Sequence, residues 1–498
     1  MKNIISIISL SLVLVVISAC KEDFLEQEYK NGLVDVNFFQ KPEHAEKALT
    51  AVYDVLGFEG QYILTRMALG SSAADDIVEL HGDFSRVGTG FIELDGYNWH
   101  SSSRYIMDHW YSSYKGIKRA NDVIHNVMDI PGMDEVSAGR FVAEAKALRA
   151  LFYYNLVTVF GDVPLLTASV SLEDSKNVSR DPASEVWRQI VTDLNEAKEI
   201  LPASYDSADL GRVTTGFANA LLSRVYLWTG EYEKAIAAAA AVTGYVLEPI
   251  YAQLFNGEAE SGQESILEVM NASGSPSENI WRTEDSEVNR SIYTGPVFAW
   301  SHFMQPSRDF IDNAFEEGDV RRGDDVILDH REGDTYDING DGVIDENDEI
   351  PANAPVDAHN LKYVKKGADL TSGGVWIGEL QTVNVIIMRY AEVLLNKAEA
   401  LNESGRSEEA LAPLNQVRAR AGLDPVSTTD QNQLRDIILH ERAVEFCFEG
   451  HRFFDLKRTN KLDEVLGDLG FIAGKHEVFP IPQTEIDLTE ISQNPGYN

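Results

Sequence analysis

Cysteine is almost absent from this chain of 498 residues, which carries two, Cys20 and Cys447. There is no CxxC pair, so a zinc ribbon and a thioredoxin-type redox site are excluded. Basic residues are also scarce. Lys and Arg total 42 against 80 Asp and Glu, a formal net charge of −38. General nucleic-acid binding needs Lys and Arg to replace phosphate counterions, and docking on anionic lipid needs a basic patch. The acidic balance argues against both, and no nucleic-acid partner is expected. HExxH, GxSxG, Walker A and GxGxxG motifs are missing as well. With 80 acids, paired carboxylates of a glycoside hydrolase stay open as a rival. What is present is a folding composition, 44% hydrophobic and 9% aromatic. That is enough for a large core, arranged as two or more lobes or as one large mixed α domain.

The first 20 residues set the expected compartment. Lys2 gives a positive start, and the apolar stretch Ile4–Ile17 is shorter than the roughly 20 residues needed to span a bilayer. Residues 1–19 therefore read as a signal peptide rather than an anchor helix. Ile17-Ser18-Ala19-Cys20 resembles a bacterial lipobox, with Cys20 as the lipidation site after cleavage. Several acyl chains hold a protein firmly to a membrane. Lys21-Glu22-Asp23 resembles the acidic signal that sends Bacteroidetes lipoproteins to the cell surface. Acylation of Cys20 rules out an intrachain disulfide, which leaves Cys447 as a core residue.

Apolar residues recur at helical spacing over His44–Leu56, Trp110–Val127, Phe141–Phe160 and Asp181–Leu201. Two later segments, Ala220–Ala240 and Ala391–Arg420, resemble each other. In each a helix ends at a glycine, Gly230 or Gly405, and an alanine follows five residues on, Ala235 or Ala410. Small residues at that spacing suit closely packed antiparallel helix pairs of the tetratricopeptide kind. The stretch 245–378 and residues 60–108 lack helical period and read as loops with short strands.

Within the loops, Asp337-Ile338-Asn339-Gly340-Asp341-Gly342-Val343-Ile344-Asp345-Glu346-Asn347-Asp348 follows an EF-hand calcium loop. Ligands would be Asp337, Asn339, Asp341, the Val343 carbonyl, Asp345 and Asp348, with Gly342 at the sharp turn. Asp348 stands where a bidentate Glu is usual. Hard oxygen donors suit Ca²⁺, expected here as a structural brace.

A further set of motifs runs the length of the chain in order. It includes Leu69-Gly70-Ser71-Ser72-Ala73-Ala74-Asp75-Asp76, Trp110-Tyr111-Ser112-Ser113-Tyr114-Lys115-Gly116-Ile117, and Phe160-Gly161-Asp162-Val163-Pro164-Leu165. It continues through Arg389-Tyr390-Ala391-Glu392-Val393-Leu394-Leu395, Phe448-Glu449-Gly450-His451-Arg452 and Phe479-Pro480-Ile481-Pro482-Gln483 to Asn494-Pro495-Gly496-Tyr497. Together with the lipobox, this set resembles the SusD/RagB family of Bacteroidetes nutrient-uptake lipoproteins. The resemblance implies a mainly α fold in which tetratricopeptide-like helix pairs form a scaffold and a loop-rich half with short strands carries the ligand. The scaffold would lie mainly at 38–58, 110–243 and 388–460, and the ligand-binding half mainly at 60–108 and 245–378, within one domain spanning 20–498. It also implies a lipid-anchored outer-membrane protein facing the cell exterior. Such a protein, the resemblance implies, is not an enzyme: it binds oligosaccharide or polysaccharide and delivers it to a SusC-like TonB-dependent transporter. A peptide or other nutrient as ligand, and a scaffold that holds only proteins, remain alternatives.

Sugars have apolar C–H faces and polar edges, so their receptors pair flat aromatic rings with hydrogen-bonding side chains. Trp99, Trp281 and Trp300 meet that description from loops, with Tyr97, Tyr293, Asn98 and Arg282 beside them. Arg86, Arg104, Arg282 and Arg290 are candidates for a local basic pocket; without one, the acidic surface favours a neutral glycan.

Overall fold

The computed structural model describes residues 38–79, 88–168, 170, 174–270, 304–323, 325–329, 358–363, 366 and 383–497. The fold is mainly α, as the sequence leads one to expect. Helix α1 (Pro42–Asp54) begins with Pro in its first turn and buries the stripe Ala45, Ala48, Leu49 and Val52. Two short helices, α2 (Thr65–Ser71) and α3 (Gly88–Asp95), occupy a region whose sequence lacks helical period. Every residue of α2 is buried, so it shows no amphipathic alternation to read.

Helix α4 (Arg104–Asn126) starts six residues before Trp110, where the apolar stripe begins. Its first turn already buries Tyr105 and Ile106, and Arg104 pairs with Asp108 one turn on. Helix α5 (Glu135–Phe160) likewise starts before its apolar run. The Asp134 carboxylate caps it, accepting from the Ser137 amide at 2.9 Å. From Ala147 to Phe160 it is buried on all sides, and it forms the axis of the main core with α4 on one flank and α6 (Ala183–Lys198) on the other.

The two similar segments fold into two helix hairpins. Helices α7 (Thr215–Trp228) and α8 (Tyr232–Ala241) form the first. Beyond α9 (Arg308–Ala314), α10 (Tyr390–Glu403) and α11 (Ser407–Arg420) form the second. Each turn passes through a glycine in the left-handed region, Gly230 at φ 71° and Gly405 at φ 74°. Ala235 and Ala410 are both fully buried, which permits the close helix approach that their spacing suggests. Helix α8 also packs on α10, so the hairpins join side by side. Helix α12 (Gln431–Glu445) closes a satellite core with Leu395, Leu414 and Leu434 at its centre. Helices α13 (Arg452–Arg458), α14 (Leu462–Leu466) and α15 (Gln483–Leu488) lead to the C-terminal segment.

The described strands form three two-stranded antiparallel ribbons. Strand β1 (Ile77–Glu79) pairs with β3 (Met304–Pro306), and β2 (Ser265–Val269) with β6 (Val385–Arg389). Strand β4 (Ile327–Asp329) pairs with β5 (Ala358–Asn360), Ile327 opposite Asn360. Each ribbon joins segments far apart in the chain, and these pairings pin the long connections to the helices.

A buried ionic cluster fastens this junction. Glu445, at the end of α12, accepts from Arg389, Arg420 and Arg321, and all four side chains are buried. Glu264 and Glu449 complete the shell around Arg389, at 3.0 and 2.9 Å. The turn after α12 packs directly on α2. A Cβ at Gly70 would meet the Gly450 carbonyl oxygen at 2.0 Å, so only glycine fits there.

Candidate functional site

The candidate ligand residues fall into two groups. Tyr97, Asn98 and Trp99 form the turn between α3 and α4 and are described. Trp281, Arg282, Tyr293 and Trp300 lie outside the described residues, in the connection from β2 to β3. Cys20 and the calcium-loop residues Asp337, Asn339, Asp341, Val343, Asp345 and Asp348 also lie outside them. The last six belong to the connection from β4 to β5, whose two described ends are held together by that ribbon's hydrogen bonds.

In the described group the structure corrects the reading of Trp99 and Tyr97 as open platforms. Trp99 is 2% exposed and Tyr97 is 5% exposed. The indole stacks on Phe479 at 4.6 Å between ring centres and meets His476 edge-on at 5.0 Å. Its Nε1 donates to the Tyr497 hydroxyl, which donates in turn to the Val478 carbonyl at 3.0 Å. Tyr97 stacks on His476 at 5.4 Å and donates to the Ala73 carbonyl at 3.0 Å. Both rings thus close the joint between the 95–101 turn and the C-terminal segment, and neither leaves a face open for a sugar. Burial is also the main cause of the chemistry here: it raises the Tyr97 and Tyr497 phenols and lowers the His476 imidazole to about 4. Asn98 is exposed beside them and remains available for hydrogen bonding.

Arg104 does not supply a free cation to a basic pocket. It is held by Glu59 at 2.9 Å and Asp108 at 3.3 Å. Arg86, Arg282 and Arg290 lie outside the described residues. Other arginines are scaffold. Arg149 makes a two-pronged pair with Asp193 at 2.7 and 2.8 Å inside the α4–α6 layer. Arg452 does the same with Asp75, at 2.7 and 2.8 Å, tying α13 to the segment after α2. The described residues hold no group of three or more His, Cys, Asp or Glu arranged for a metal ion, and no described helix is long and apolar enough to cross a membrane.

What the sequence did not single out is a set of guanidinium groups around a small internal cavity. Arg66, Arg224, Arg442 and Arg458 line it, from helices as far apart in the chain as α2 and α13. The only signal would have been arginine inside apolar helical stripes, which by itself points equally to ordinary core ion pairs.

The comparisons agree with this architecture. A family model described as the SusD family matches residues 348–497, and one described as "Starch-binding associating with outer membrane" matches residues 23–227. SusD-like protein P2 of Formosa agariphila is 29% identical, over 98% of this chain and 99% of its own. The starch-binding protein SusD of Bacteroides thetaiotaomicron is 26% identical, over 74% of each chain. A solved structure titled as a laminarin-binding SusD-like protein is 32% identical, with a TM-score of 0.77 over 92% of this chain and all of that one. Helix hairpins, ribbons and end-to-end similarity converge on one conclusion: this chain belongs to the SusD/RagB family.

Proposed function

We propose that the protein is a non-catalytic glycan receptor at the outer membrane, lipid-anchored through Cys20 and facing the cell exterior. It captures oligosaccharide or polysaccharide and passes it to a SusC-like TonB-dependent transporter. The observation that carries this reading is the 32% identity and 0.77 TM-score with a laminarin-binding protein over nearly the whole chain. The family description that names starch binding and the outer membrane supports it. Trp281, Trp300 and Tyr293 are the aromatic platforms in this reading, with Arg282 and Asn98 as polar partners. A stacked ring adds about 0.5–1.5 kcal/mol, so a few rings give affinities on the order of millimolar to micromolar. Laminarin is the first ligand to try, then other neutral glucans.

The delivery step has its own test. Tagged protein purified from native outer membranes should carry a TonB-dependent barrel with it, and a Cys20→Ala variant should leave the membrane fraction. Recovery without a barrel, or unchanged membrane attachment of the variant, contradicts that part.

The loop 337–348 is proposed as a calcium brace. Its donor set is all oxygen, with a glycine at the turn, and the β4–β5 ribbon holds the ends of the connection together. Calcium should raise the melting temperature saturably, and Asp337→Ala with Asp341→Ala should abolish the shift. Identical melting with calcium and with chelator contradicts it.

A further inference from the structure

The internal cavity has a volume of ≈ 30 Å³ and shares no lining residue with the 95–101 turn. Its wall carries charge of both signs, and Arg458 has a further carboxylate partner, Glu399, outside the lining. Four guanidinium groups, Arg66, Arg224, Arg442 and Arg458, face three carboxylates, Glu392, Glu449 and Asp455. Each carboxylate is already engaged by another cation. Glu392 pairs with Arg224, and Asp455 with Arg442 at 2.9 Å and Arg458 at 2.8 Å. Glu449 pairs with Arg389 and Lys362, both at 2.9 Å.

Arg66 is left over. It is 7% exposed, and its Nη1 donates to the Thr158 hydroxyl at 3.1 Å. Its guanidinium lies 3.7 Å from the centre of the Phe454 ring. A second cation adjoins it, because Lys457 donates to the Thr158 carbonyl at 2.7 Å. Neither has a carboxylate within ion-pair reach among the described residues. Burial, with the Arg66 charge adding to it, lowers the Lys457 amine to about 7. Arginine has no such escape, since it stays protonated in proteins. A buried cation without a counter-charge is costly, so Arg66, with half-buried Lys457 beside it, calls for an anion.

We propose that this cavity binds a small monatomic anion, chloride in ordinary buffers, with Arg66 as its donor and Lys457 as the adjoining positive charge. The volume admits about two water-sized spheres. That suits a halide and a water. The aromatic surroundings fit as well: Trp228 Nε1 donates to the Tyr154 hydroxyl at 3.0 Å, which orients that phenol beside the cavity. The ion would be an integral part of the core where α2, α7, α10 and α13 meet, and it is independent of the glycan reading.

Melting of the mature chain in chloride and in gluconate at equal ionic strength, with no glycan present, tests the site. Chloride should raise the melting temperature saturably relative to gluconate. Lys457→Met, which keeps the apolar stem and removes the charge, should raise the half-saturating chloride concentration about tenfold. Crystals grown in bromide should show an anomalous peak in the cavity beside Arg66. Equal melting in the two salts, an unchanged half-saturation in Lys457→Met, or a cavity holding only water in the bromide crystals would each overturn the proposal.

Discussion

Asp76 shows how much one side chain can join. Fully buried, it accepts from the Ser71 hydroxyl at 3.1 Å and the Phe448 amide at 3.0 Å, while its own carbonyl accepts from Ser307 at 2.9 Å. Three segments therefore meet at one residue. Burial raises it from the ordinary 3.8 to about 7, although its hydrogen bonds and Arg452 pull the other way. A raised carboxyl binds its proton more tightly in the folded state, so it weakens folding as pH rises through the window between those values. Asp76→Asn keeps an acceptor oxygen without the charge. Its stability relative to wild type should rise from about pH 4 to about pH 7 and level off above, as read by urea melts across that range. A difference independent of pH would mean the carboxyl is not strained by burial. Trp99 carries the opposite lesson in legibility. Its polar neighbours and loop setting suggest a sugar platform, yet its ring is covered by His476 and Phe479. That burial depends on residues almost 400 positions away, and no local pattern announces it.

Helices were the readable elements. The hairpins at Gly230 and Gly405 follow from a glycine, a buried alanine and an apolar stripe, all of which lie within one segment. Helix α2 escapes the pattern because it is buried on every side, and α5 begins before its apolar run because its first turn mixes Glu135 and Ser137 with an exposed Val136. The ribbons and the ionic cluster are illegible for another reason: they pair residues from 25 to more than 200 positions apart, such as Arg420 with Glu445, Arg389 with Glu264 and Val78 with Gln305. Glu445 is the keystone of that cluster. Burial alone would raise its carboxyl, but Arg420, Arg389 and Arg321 outweigh burial and hold it well below the usual range. Glu445→Gln would leave buried guanidinium groups short of a counter-charge and should cost about 3–5 kcal/mol at neutral pH, measured by denaturant melts. Glu449 and Glu392 are likewise lowered, each to about 2, because Arg389 and Arg224 outweigh burial. Lowered carboxyls stabilise the fold above the unfolded value of 4.5, and that stability is lost as pH falls toward 2. Acid unfolding should therefore fall in that window, and Glu445→Gln should shift its midpoint to higher pH. Full stability at pH 2 would show that the cluster contributes little.

At the scale of the whole molecule, the acidic balance and the aromatic loops bear on the ligand together. A net charge of −38 repels polyanionic chains over a distance set by salt. Affinity for a neutral glucan should therefore change little between low and physiological salt, whereas any sulfated or uronic glycan should bind only as salt screens the surface. The helix hairpins are legible in the chain, but the ligand's identity is not. Sugar linkage is read by a few ring positions in long loops, and sequence fixes ring identity without fixing ring geometry.

The decisive measurement is calorimetric titration of the purified mature chain with laminarin and a panel of neutral glucans. Trp281→Ala, Trp300→Ala and Trp99→Ala should be compared with wild type. Millimolar-to-micromolar binding to at least one glucan should be weakened by Trp281→Ala or Trp300→Ala and unchanged in folded Trp99→Ala, with no reducing ends released. Absence of binding across the panel, or cleavage of a glucan by the purified chain, would contradict a glycan receptor.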